Sequence, residues 1–295
     1  MLHGVKARPG LTAVLFPFGI WISLIRTNII VNGNNIKKGY KVLHKIFKML
    51  ETLGRYFAFL GEIVRCIPKK PSRFIQVLIE IEHLGVNSIL IIFLSGAAMG
   101  MIFALQLVSF LQAFSAEIAA GAAVAVSLAR ELAPIITTLM LIAKNGSAMA
   151  AELGTMRVTE QIDALESMSV NVVHYLVQPK VIASVLVFPV LTLLANVIGI
   201  IGSFIISVFL FSIDSAGYVN YMFDFLGPRD IFVGLIKSVV MGIMTATICC
   251  FYGLRTVQGA KGVGDSATHA VVTSSVSILV ADYLLTTIML PLIYL

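Results

Sequence analysis

Two stretches of 33 residues, 84–116 and 181–213, contain no Asp, Glu, Lys or Arg. A helix crossing the hydrocarbon core of a bilayer needs about 20 apolar residues, and each stretch exceeds that. Lipid offers no partner for backbone N–H and C=O groups, so only helices and closed barrels can span it. Barrel strands alternate apolar and polar residues over about ten positions, whereas these runs are continuous. Three further stretches, 118–143, 231–254 and 269–295, are apolar except for Arg130-Glu131, Lys237 and Asp282 within them. The sequence therefore predicts an all-α membrane protein with five transmembrane helices. A charged fraction of 12% agrees, since ordinary soluble domains carry about 25%.

Charge placement sets the expected topology. Residues before the first span hold 13 of the 21 Lys and Arg, which places the N-terminus in the cytoplasm by the positive-inside rule. Five spans then put the connections 144–180 and 255–266 inside, the connections 115–117 and 214–230 outside, and the C-terminus on the periplasmic side. The net charge of +6 is read as topology and lipid contact, and not as nucleic-acid binding. Residues 40–64 repeat apolar positions at Leu43, Phe47, Leu50, Leu53, Phe57 and Leu60 with Lys41, Lys45 and Lys48 opposite, the pattern of an interfacial helix lying on a leaflet. The shorter apolar stretch 11–25 reads as an interfacial or re-entrant piece. The chain divides on this reading into a cytoplasmic or interfacial region, 1–85, and a five-span region, 86–295.

Several chemistries find no footing. No Gly-x4-Gly-Lys-Ser/Thr loop occurs, so P-loop nucleotide hydrolysis is not expected of this chain. Cys66, Cys249 and Cys250 have no spacing that suits a disulfide framework or a zinc site, and no cofactor or metal is expected. Gly262-Val-Gly264-Asp-Ser-Ala267 matches the loose dinucleotide fingerprint but lacks a surrounding βαβ unit. It is expected to form a tight turn, with Asp265 or Ser266 capping the last span.

A polar run, 152–166, separates two apolar stretches. Glu160, Asp163 and Glu166 fall on one side at helical spacing while Ile162, Leu165 and Met168 fall on another, so 152–168 is expected to be a short amphipathic helix, with Glu152 and Arg157 in its first turns. Arg130, Glu131, Lys237 and Asp282 are costly inside a span and are expected to form a compensating polar network. The pairing expected is Glu131 with Lys237, and Arg130 with Asp282 or a lipid phosphate. Gly96-Ala-Ala-Met-Gly100 allows close approach of a neighbouring helix, within the chain or from a second copy.

The stretches Arg130-Glu131-Leu-Ala-Pro134, Gly146-Ser-Ala-Met-Ala-Ala-Glu152 through Glu166, and Gly262-Val-Gly264 with Ala270-Val-Val-Thr-Ser274 resemble the MlaE-like permeases, from about Gly61 to the C-terminus. These are membrane subunits of ABC transporters that move phospholipid or related lipids between the inner membrane and an outer envelope layer. The resemblance implies a homodimer, a separate cytoplasmic ATPase that binds the ATP and docks on a coupling helix at Glu152, Arg157, Glu160, Asp163 and Glu166, and an MCE-domain lipid-shuttling partner. It also implies that Arg130, Glu131, Lys237 and Asp282 lie near the lipid pathway, and that the chain is not itself an enzyme. Ala143-Lys144-Asn145 stands where the family commonly has a Gly-Arg pair, and Asn171-Val172 where Asp-Pro often follows the coupling helix. A proton-driven secondary transporter would explain the buried carboxylates but not the acidic segment; a sterol or fatty-acid importer of mycobacterial type and a plastid inner envelope home are variants the same resemblance allows.

Overall fold

The computed structural model describes residues 33–66, 74–257 and 259–294, and all the regular structure among them is helical. The apolar stretch 11–25 lies outside the described residues. The chain forms two units, 1–57 and 58–295. In the first, the described residues belong to the helix Gly33–Cys66, longer at both ends than the 40–64 expected, with Arg55 paired to Glu51 one turn away. That helix runs on into the second unit, where Phe59 and Ile63 are buried.

Five helices of the second unit are long and apolar enough to cross a bilayer: Phe74–Gln112, Glu117–Val158, Val173–Leu210, Pro228–Gly253 and Gly259–Met289. The first begins at Phe74, ahead of the charge-free stretch, and is interrupted by a 3-10 turn at Val86–Ser88. The first and third spans share the most extensive helix contact. Small residues make it possible: a Cβ on Gly96 would lie 3.1 Å from the Ala195 carbonyl oxygen, and one on Gly100 would collide with the Gly199 backbone. The Gly-x-x-x-Gly step therefore packs within the chain. Asn171 opens the third span, its Oδ1 accepting the His174 N–H at 2.9 Å, a side-chain cap.

The second span departs from expectation. It does not end near Lys144 but continues as helix to Val158, because Met149, Ala150, Leu153 and Gly154 form a buried face. Gly253 and Thr256 lie against that face, close to Ala150 and Gly154 respectively. Two π-helical turns, Leu128–Leu132 and Ile142–Gly146, interrupt it. Each inserts a residue and turns the following helix face.

Two further features concern the connections, and the second is a correction. The 214–230 connection holds a helix, Ser215–Phe225, capped by Asp214 and anchored by Tyr218, which is 1% exposed. The Tyr218 hydroxyl lies 3.0 Å from Ser203 Oγ, and the ring abuts Gly121. The final helix starts at Gly259, so Gly262 and Gly264 lie inside it and neither Asp265 nor Ser266 caps it. The turn glycine is Gly259, at φ +65°, a conformation that costs other residues about 1–2 kcal/mol.

Candidate functional site

The second, fourth and fifth spans bring the intramembrane charges together. Lys237, fully buried, donates to the Glu131 carboxylate and to Thr286 Oγ1, the latter at 2.7 Å. Asp282 Oδ1 lies 3.3 Å from the same ammonium. Thr286 is one helical turn beyond Asp282 and donates to the Asp282 carbonyl at 2.8 Å, with Glu131 Oε2 at 3.2 Å. The expected Glu131–Lys237 pair is thus present, with Asp282 added to it.

Arg130 does not pair with Asp282. Its Nε donates to Asp230 Oδ1 at 2.7 Å, and Asp230 Oδ2 accepts the Gly227 N–H at 2.9 Å, so one carboxylate also closes the start of the fourth span. The cause is helical register. Asp230 and Lys237 are seven residues apart, two turns, and so stand on one face of the fourth span, where they meet Arg130 and Glu131 from the π-helical turn. By sequence Asp230 closes the 214–230 connection; its seven-residue spacing from Lys237 is the signal that places it on the fourth span. Two cations thus face three carboxylates. Glu131 keeps 35% of its side chain exposed and Arg130 23%, against 0% for Lys237 and 5% for Asp230. The network is therefore sealed on the fourth-span side and open on the second-span side. A charged group open at this depth can meet a polar headgroup in surroundings where water is scarce, which strengthens the contact.

The acidic segment is not one helix. The chain breaks after Val158, with Glu160 at φ +61°, and restarts as Gln161–Ser167. The break turns Ile162, 2% exposed, into a cleft of about 380 Å³ that Phe59, Phe251 and Leu254 also line. A helix continued straight would point that apolar residue elsewhere. Glu160, Asp163 and Glu166 are exposed. Arg157 bonds Asp163 at 2.6 Å, and Glu152 leaves the acidic group for Lys180, at 2.8 Å.

Outside this segment, an apolar groove of about 610 Å³ lies between the first and third spans, lined by Ile81, Val86, Ile89, Leu186, Val190 and Val197 among others. Among the described residues no cluster of His, Cys, Asp and Glu could hold a metal ion.

A family model described as Permease MlaE matches residues 77–288. The chain belongs to the MlaE permease family. A probable ABC transporter permease protein of Rickettsia bellii is 36% identical over 242 residues, covering 82% of this chain and 93% of its own length. The intermembrane phospholipid transport system permease protein MlaE of Haemophilus influenzae is 35% identical over 247 residues, 83% of this chain and 94% of its own. The chloroplastic protein TRIGALACTOSYLDIACYLGLYCEROL 1 of Arabidopsis thaliana is 37% identical over 225 residues, 76% of this chain and 64% of its own. As an MlaE-family permease, the chain is a multi-pass membrane subunit of an ABC transporter and not an enzyme. The matched region contains all four intramembrane charges and the 147–167 segment.

Proposed function

We propose that this permease moves phospholipid or a closely related lipid between the inner membrane and the outer envelope, driven by ATP hydrolysis on a separate subunit. The observation that carries the reading is the half-open ion network. Glu131, partly exposed within the second span, is held by the buried Lys237, giving the apolar spans a polar point at which a headgroup can be received. Acyl chains find apolar helix surface beside it. The name of the Haemophilus relative, which refers to intermembrane phospholipid transport, supports the same substrate class.

The exposed carboxylates at 160, 163 and 166 form the docking surface for the ATPase, with the N-terminus and the 147–167 segment in the cytoplasm. A second copy of the chain and an MCE-domain partner complete the assembly. A proton-coupled carrier is the weaker reading, because it leaves the acidic segment without a role.

The test is reconstitution of the complex with its ATPase in vesicles carrying a fluorescent phospholipid. ATP-dependent lipid movement that falls at least fivefold in Glu131→Gln is expected. Lipid movement independent of ATP, or ATP-dependent movement untouched by that change, would overturn the reading.

A further inference from the structure

Lys180 lies two turns into the third span and is 3% exposed. It donates to Glu80 of the first span at 2.7 Å and to Glu152 of the second at 2.8 Å. One ammonium therefore ties three spans together at the end of the bundle that carries the 147–167 segment. The two contacts differ in kind. Glu80 is 19% exposed and Glu152 52%, so the first is a shielded pair and the second is half in solvent. Shielded pairs are strong and persistent, whereas solvent-screened ones exchange readily.

A second set of contacts joins the first and second spans one to two turns away. Asn145, 2% exposed, donates to the Leu84 carbonyl at 2.9 Å and to Ser88 Oγ at 3.1 Å. Lys144 donates to the Asn87 carbonyl and to Ser88 Oγ. Both donors belong to the π-helical turn Ile142–Gly146, and their acceptors lie at or just before the 3-10 turn Val86–Ser88. Each helix is thus irregular where it grips the other. Irregular turns have weaker internal hydrogen bonding and are where a helix bends.

From this geometry we propose that Lys180 is the positioning residue that passes movement of the 147–167 segment to the first span, a role that rests on the ATPase-docking reading above. Glu80 keeps Lys180 attached to the first span throughout. Glu152 couples it to the segment, while Asn145 and Ser88 act as the pivot. When the ATPase moves the segment, Glu152 draws Lys180 with it, and the Glu80 contact carries that movement into the first span.

The experiment uses the complex of permease and ATPase in lipid nanodiscs, with spin labels on Ser167 and, separately, on Leu78, each measured against a fixed label on the fourth span. In the wild-type complex, ATP is expected to displace both positions. In Glu152→Ala and Lys180→Met, the ATPase still copurifies and Ser167 still moves, but the Leu78 displacement is lost and lipid moved per ATP hydrolysed falls at least fivefold. Lys180→Arg restores most of both. Leu78 moving normally in Glu152→Ala overturns the relay, and that variant removes only a half-exposed side chain, so it serves even where Lys180→Met does not fold. An ATPase that fails to copurify with the wild-type chain counts against the docking reading itself. A wild-type complex in which Ser167 moves and Leu78 does not overturns the relay alone.

Discussion

Lys237 has no exposed surface, yet its partner Glu131 keeps 35% of its side chain open. The pair is thus asymmetric: the cation is committed to the protein and the anion is presented outward. Asp282, with only 10% of its side chain exposed, lies 3.3 Å from the same ammonium. Removing the two partners should therefore have unequal consequences.

Lys237→Met leaves Glu131 and Asp282 facing one another without a cation, and breaking a buried pair this way costs about 3–5 kcal/mol. Glu131→Gln leaves Lys237 still balanced by Asp282 and should cost clearly less. The double variant should be more stable than Lys237→Met alone. Thermal unfolding in detergent measures all three, and equal losses from the two single changes, or strict additivity, would dissolve the coupling.

Asp230 does two jobs at once, accepting from Arg130 and from the Gly227 N–H. Asp230→Asn keeps an acceptor for the N–H and loses only the charge. Asp230→Ala loses both and should be less stable by roughly a further 1 kcal/mol, the usual worth of a helix cap. Midpoints of unfolding that coincide for the two variants would show that the cap contributes nothing.

Close backbone contact separates the glycines. Gly100→Ala drives a methyl into the Gly199 backbone and should reduce folded yield severely. Gly264 has nothing within 4 Å of a built Cβ and lies inside a helix, so Gly264→Ala should be neutral or stabilising by up to about 1 kcal/mol. Purified yield and unfolding temperature in detergent report both, and a tolerated Gly100→Ala would contradict the packing described.

Reversal of Glu160, Asp163 and Glu166 to Lys should abolish ATPase copurification while leaving insertion and stability nearly unchanged. The Arg157–Asp163 bond it disturbs is 36% and 53% exposed, and such surface pairs are worth at most about 1 kcal/mol. Retention of the ATPase by the triple variant would remove this surface from the docking site.

Hydrophobic run length was enough to establish five helical spans, because a bilayer accepts no other element at that length and composition. The intramembrane charges were visible for the same reason: each stands alone in an apolar run. The Glu131–Lys237 partnership followed from charge balance. Its extension to Asp282 and the pairing of Arg130 with Asp230 did not, since they depend on which faces of three helices meet, and a π-helical turn at Leu128–Leu132 shifts one of those faces. No periodicity in the residues announces such a turn.

The acidic segment shows the same division. Its polarity and spacing marked it as a surface, but its break at Glu160 came from burying Ile162, and the diversion of Glu152 came from Lys180, 28 residues away. Composition and local pattern, which act through solvent and the helix repeat, determined the spans, the charged positions and the family resemblance. Partner choice, helix irregularity and the Glu80–Lys180–Glu152 tie were decided only in the tertiary structure, because they arise from contacts between residues up to 155 positions apart, whose energies depend on distance and burial that no stretch of sequence contains.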